Sequence, residues 1–193
     1  MKKIIVFVVL FSIIGACSDE KSNSVEIRNY FSIDSLINAQ IDYLITNNAL
    51  LIKSENNKLK NANALKLDSA QWRLQLEIFR SLDLNKPTYI GAYNIEHLDD
   101  SGSNLKILSY RPISDDLPIK KINIYYLDHL SNILRINASV KKSNVLYSSA
   151  NELNMEFVTK DDLHVLKNYS IASMQKLIFR DTLSIEINGK ITY

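Results

Sequence analysis

Hydrophobic and polar positions divide the chain into three regimes. An apolar run over residues 4–14, broken only by Ser12, opens it; a helical period follows, and a period of two takes over from Thr88 onward. In the middle regime Ile33, Ile37, Ile41 and Leu44 recur at spacings of four, four and three behind Ser32, a suitable N-cap. That spacing predicts an amphipathic helix of about three turns, ending near Asn47 and Asn48. Residues 49–55 and 58–67 read as two strands of a hairpin joined at Asn56 and Asn57, since asparagine tolerates the positive φ of a tight turn. Asp68 caps a second predicted helix, 69–82, whose Trp72, Leu76, Phe79 and Leu82 share one face, with Pro87 beyond its end.

In the third regime Ile122, Ile124 and Tyr126 alternate with Lys121, Asn123 and Tyr125. Leu134, Ile136, Ala138 and Val140 alternate with Arg135, Asn137 and Ser139, and the pattern returns at Leu153, Met155, Phe157 and at Leu183, Ile185, Ile187. Such alternation predicts antiparallel strands with one dry and one wet face. Strands are expected near 89–97, 104–110, 119–127, 132–141, 145–158 and 163–187, the last splitting in two, between turn-forming Asp, Ser, Asn and Gly clusters. The expected fold is α+β: two N-terminal helices and a β-hairpin packed on an antiparallel meander of about six to seven strands. Trp72 could serve as a ligand platform, but an aromatic at helical spacing among leucines reads as core.

Lys2 and Lys3 ahead of the first apolar run, and Gly15-Ala16-Cys17 after it, give that run the form of a secretory signal. It is shorter than the roughly 20 residues a bilayer-spanning helix needs. Cys17 is the one cysteine of the chain and so has no disulfide partner within it. Ile14-Gly15-Ala16-Cys17 resembles the lipobox of bacterial lipoproteins. The resemblance implies cleavage before Cys17, a lipid on its thiol and an acylated new amino terminus, with two or three acyl chains giving lasting attachment. The organisation expected is a signal peptide over 1–16, a lipid-anchored tether over 17–28 and one α+β domain over 29–193. Ser18-Asp19-Glu20 resembles the acidic export signal that carries some Bacteroidota lipoproteins to the outer face of the outer membrane, while a merely soluble tether would look the same.

Charge and glycine exclude several partners. Lysine and arginine number 23 against 21 acidic residues, so loss of Lys2 and Lys3 leaves 21 of each, a balance that points to neither nucleic acid nor an electrostatic hold on anionic lipid. Gly91, Gly102 and Gly189, the glycines past the signal, lie far apart, whereas a phosphate-cradling loop needs several together, so no nucleotide is expected.

Chemistry-bearing motifs are sparse. His97, His129 and His164 are each more than thirty residues from the next, and no second cysteine completes a zinc site, so neither metal nor cofactor is expected. No serine stands in a Gly-x-Ser-x-Gly setting. Asp99-Asp100, Asp115-Asp116 and Asp161-Asp162 read as solvated turn formers; acid/base work would need two carboxylates to face one point. Tyr125, Tyr126 and Tyr147 are candidates for contact with a protein or glycan, because tyrosine offers area at little entropic cost, though strand tyrosines also simply pack. Asp34-Ser35-Leu36, Asp68-Ser69-Ala70 and Asp181-Thr182-Leu183 resemble the Asp-Ser/Thr-apolar site of Bacteroidota O-glycosylation, making Ser35, Ser69 and Thr182 candidate acceptors; helix capping explains two of them equally well.

Tyr30-Phe31-Ser32-Ile33, Trp72 with Leu76 and Phe79, the stretch 83–87 (Asp-Leu-Asn-Lys-Pro), the stretch 117–122 and Tyr169-Ser170-Ile171 together resemble a recurrent layout of Bacteroidota lipoproteins of unknown function. The resemblance covers most of residues 29–193, implies an outer-membrane anchor and brings no active site. Three functions remain open. One is a non-enzymatic envelope lipoprotein binding an envelope protein or glycan through its sheet. A second is a carrier or chaperone holding an apolar ligand between sheet and helices, and a third is a hydrolase whose site sequence does not reveal.

Overall fold

The computed structural model describes residues 30–56, 58–59 and 64–193. Cys17, the apolar run before it, the tether and Asn57 lie outside the described residues. Among the described residues two helices come early, α1 (Ile33–Thr46) and α2 (Ser69–Arg80). The Ser32 side chain accepts from the Ser35 N–H at the start of α1, and Asp68 with Gln71 forms a capping box at the start of α2. Both devices satisfy N–H groups that a helix start leaves without partners.

Among the described residues ten strands make one antiparallel sheet: β1 (Leu50–Glu55), β2 (Lys58–Leu59), β3 (Leu65–Lys66), β4 (Tyr93–Asp99), β5 (Lys106–Pro112), β6 (Ile119–Tyr126), β7 (Ile133–Ser143), β8 (Tyr147–Lys160), β9 (Leu163–Leu177) and β10 (Leu183–Thr192). Their order is β2-β1-β10-β9-β8-β7-β6-β5-β4, with β3 pairing to the start of β1. The α+β class therefore holds, with β dominant, but two expectations are corrected. The hairpin does not pack on the meander as a separate piece: β1 pairs with β10 from Leu50↔Thr192 to Glu55↔Ile187, so among the described residues hairpin and meander form one sheet of nine strands in continuous order, with β3 beside β1, rather than a meander of six or seven. The physical reason is the free edge that β10 would otherwise present. Within the expected strand 58–67 the described residues give two two-residue pieces, β2 and β3, paired with opposite ends of β1, while residues 60–63 lie outside the described residues. The strand expected from residue 89 starts at Tyr93, because Pro87–Tyr89 forms a 3-10 turn and Gly91 takes a positive φ of 70°.

Both helices cover one face of the sheet. Ile33, Ile37, Ile41 and Leu44 of α1 and Trp72, Leu76 and Phe79 of α2 are buried against Ile122, Ile124, Ile136, Leu153, Met155, Leu166 and Tyr169. Trp72 is thus core, fully enclosed, and not a ligand platform. Two polar joints fix the layers. Gln40, buried on α1, donates to the His164 carbonyl (3.0 Å) and accepts from the Leu166 N–H (2.7 Å), next to the bulge at Glu156/Phe157. Asp83, buried after α2, accepts from the Asp34 N–H (2.8 Å), the Ser32 hydroxyl (3.2 Å) and the Asn85 N–H (2.8 Å), tying the end of α2 to the start of α1. Arg80 adds an ion pair to Asp34 at 2.7 Å, which with its hydrogen bond raises the guanidinium above its ordinary pKa.

Candidate functional site

The face opposite the helices is defined by register. Ser109↔Asn123↔Asn137↔Asn154↔Ser170↔Asn188↔Ser54 form one unbroken cross-strand row, a hydroxyl or carboxamide on each of seven adjacent strands from β5 to β1. The row beside it reads Ile107↔Tyr125↔Arg135↔Glu156↔Asn168↔Lys190↔Ile52. Alternation with period two forces this arrangement: each of these residues except Ser54, which stands between Lys53 and Glu55, neighbours a core or partly buried apolar residue on its own strand and points the other way.

Two neighbouring pairs of the first row are linked side chain to side chain. The Ser109 hydroxyl and the Asn123 carboxamide are 2.9 Å apart, and Asn154 Nδ2 donates to Ser170 Oγ at 3.1 Å. In the second row Asn168 Nδ2 donates to Glu156 at 3.0 Å, and the Arg135 guanidinium lies 4.0 Å over the Tyr125 ring. Between the two rows Arg135 Nε and Asn137 Oδ1 are enclosed without a hydrogen-bond partner among the described residues. One is a donor and the other an acceptor, and both sit on β7 in the middle of the face.

Toward β1 the two rows open into a groove of about 460 Å³ lined by Ile52, Ser54, Asn154, Glu156, Asn168, Ser170, Asn188 and Lys190, with Tyr169 and Gly189 at its floor. On the helix-covered side beneath the groove, Gly189 makes room for Tyr169. A Cβ at that position would stand 2.2 Å from the Tyr169 ring, so only glycine lets the ring lie across β10. The ring meets Phe79 edge-on at 5.8 Å, and its hydroxyl lies 3.4 Å from Gln75 Oε1, which also accepts from Lys53 at 3.0 Å. Burial pushes the Tyr169 phenol up to about 12. Its ring is core rather than a platform for a ligand.

The tyrosine candidates separate. Tyr125 is half-buried on the helix-free face, stacked by Arg135. Tyr126 is 8% exposed and belongs to the helix-covered core, so it is withdrawn as a contact residue; it alternates with Tyr125 and must point the other way. Tyr147 is half-buried at the start of β8, away from the groove. Ser35, Ser69 and Thr182 are all exposed. The Ser35 hydroxyl is bonded to that of Ser32 at 2.8 Å. The lipidation candidate Cys17 lies outside the described residues.

The histidines do not come together: His97 stands on β4, His129 in the β6–β7 turn and His164 at the start of β9. His164 shares a groove of about 420 Å³ with Ser32 and Ser35, but among the described residues no hydrogen bond joins it to either hydroxyl. Among the described residues no three His, Cys, Asp or Glu side chains cluster in a way that could hold a metal, and no helix is long and apolar enough to cross a membrane. The three aspartate pairs stand on separate turns, Asp161 and Asp162 both at positive φ.

Sequence reading missed the amide and hydroxyl row. Its members were visible only as polar positions of separate strands, and no local signal fixes which of them lie opposite one another. Set against protein-family models, curated proteins and solved structures, the chain matches none.

Proposed function

We propose that this chain is a lipid-anchored envelope protein, held in the outer membrane through Cys17, that binds a neutral glycan on the helix-free face of its sheet. The observation that carries the reading is the row of four asparagines and three serines running into a groove of about 460 Å³. Drug-like ligand pockets are mostly apolar with a few placed polar groups. This groove keeps an apolar share in its surface but sets many more placed polar groups in it, with Ile52 its one aliphatic side chain among hydroxyls, carboxamides and two charges. Carboxamides and hydroxyls both donate and accept, as the hydroxyls of a sugar do, so a glycan can exchange its water contacts for matched ones along the part of the row that lines the groove, Asn154, Ser170, Asn188 and Ser54, while Ser109 and Asn123 at the other end are buried.

The alternatives receive less support. A carrier would need room between sheet and helices, where Trp72, Phe79, Leu76 and Met155 are fully buried against one another. A hydrolase would need a base beside its nucleophile, and His164 makes no bond to Ser32 or Ser35.

The test is binding of the full chain to an array of neutral and acidic oligosaccharides, beside a variant carrying Asn154→Ala and Asn188→Ala. Each lost hydrogen bond is worth about fivefold, so the double variant should bind about 25-fold more weakly while remaining folded, with only the small fall in melting temperature that loss of its bonds to Ser170 and Glu186 brings. Failure of every neutral glycan to bind, or equal binding by the variant, overturns the reading. The anchor is tested separately: labelled palmitate should enter the wild-type chain in cells and not Cys17→Ala.

A further inference from the structure

The turns at one end of the sheet form a tongue with a chemistry of its own. β7, β8 and β9 are the longest strands, and they run on past β6, which begins at Ile119 opposite Val140, to the pairs Ser143↔Ser148 and Tyr147↔Leu177. The Ile178 N–H donates to the Leu146 carbonyl at 3.1 Å, binding the β7–β8 turn to the β9–β10 turn. At the apices Val145 is 87% exposed, Leu146 63%, Ile178 51% and Phe179 90%. Turn apices ordinarily carry Gly, Asn, Asp or Ser, so two adjacent apices bearing large apolar side chains need a reason.

Around them stand Lys141, Lys142, Lys176 and Arg180, all exposed, against one acid, Asp181. Among the described residues none of these four cations is in an ion pair. The charge balance of residues 17–193 hides this local excess.

We propose that the tongue is an insertion tip for an anionic bilayer: Val145, Leu146, Ile178 and Phe179 enter the boundary between headgroups and acyl chains while the surrounding cations meet lipid phosphates. Apolar apices ringed by lysine and arginine match the layering of a bilayer surface, hydrocarbon inside and negative charge at the rim. A second copy of the chain fits poorly, because a two-fold contact through this tongue would set the four cations against the same four. The tongue is also compatible with an anchor at Cys17. The stretch 17–29 can span at most about 45 Å when extended, comparable with the roughly 45 Å of the fourteen-residue β8. A tethered domain can lie along the membrane with its tongue in it.

The test places an indole at the apex. Trp72 is the one native tryptophan and is fully buried, so in the full-length Phe179→Trp chain any lipid-dependent change in emission comes from the tongue. With phosphatidylglycerol vesicles the emission should shift to the blue and be quenched by brominated acyl chains, and with phosphatidylcholine vesicles the effect should be much weaker. Each cation near such a surface is worth about fivefold in partitioning, so adding Lys142→Glu and Lys176→Glu should weaken it at least 25-fold. An emission spectrum indifferent to vesicles overturns the proposal, as does a blue shift without vesicles that grows with protein concentration. Binding insensitive to the two charge reversals also overturns it.

Discussion

Gly189 and Tyr169 set a test at the scale of single residues. In a strand, Gly→Ala ordinarily stabilises by roughly 0.5–1 kcal/mol, because glycine loses more freedom on folding. Here the added methyl would meet the Tyr169 ring at 2.2 Å. Gly189→Ala should therefore destabilise by about 1–3 kcal/mol, seen as a lower urea midpoint, and Tyr169→Leu in the same chain should recover part of that loss. Recovery is the informative result, since independent sites would add. The buried phenols set a second test. Burial pushes Tyr93 and Tyr169 up to about 12 and raises Tyr110 and Tyr193 as well. Because the folded values lie above the unfolded one, near 10, the stability these groups contribute is complete below pH 10 and is lost as pH rises toward 12. Melting temperature should be indifferent to these tyrosines between pH 7 and 9 and fall steeply above pH 10. Phenolate absorbance from them should rise with unfolding rather than before it.

The two helices were legible as elements because their apolar positions follow one face and their caps are local: Ser32 and Asp68 act within three residues of themselves. How they attach to the sheet was not legible. Gln40 reads in the sequence as a polar position on an amphipathic helix, yet it is buried and supplies partners to the backbone of β9 where the bulge disturbs its pairing. Gln40→Met keeps the length of the side chain and leaves the Leu166 N–H and the His164 carbonyl unpaired. Each orphaned group costs about 1–3 kcal/mol, so the variant should melt several degrees lower and exchange the Leu166 amide faster than its neighbours. Uniform acceleration across the sheet would mean instead that Gln40 merely fills space.

At the scale of the whole molecule, alternation told which residues of each strand are wet but not which strand lies beside which. Asn137, Asn154 and Asn188 are polar positions on three strands; that β7, β8, β9 and β10 stand side by side and bring them into one row depends on turn lengths and bulges. The same gap hid the pairing of β1 with β10, a contact between residues more than 130 positions apart that closes the free edge of the last strand. Conversely, Tyr126 was assignable from its own strand, since a residue alternating with Tyr125 cannot share its face. The central claim is that this assembled face, and not the helix-covered one, is where the molecule binds. The most direct measurement is a titration of the nitrogen-15-labelled chain with a neutral oligosaccharide retained on the array, read at the side-chain amides of Asn137, Asn154 and Asn188 and at the Trp72 indole. The asparagine amides should move together, saturating at one affinity, while Trp72 stays fixed. Movement of the Trp72 indole or the Gln40 amide with the asparagines unmoved would contradict that claim and return the binding site to the space between helices and sheet.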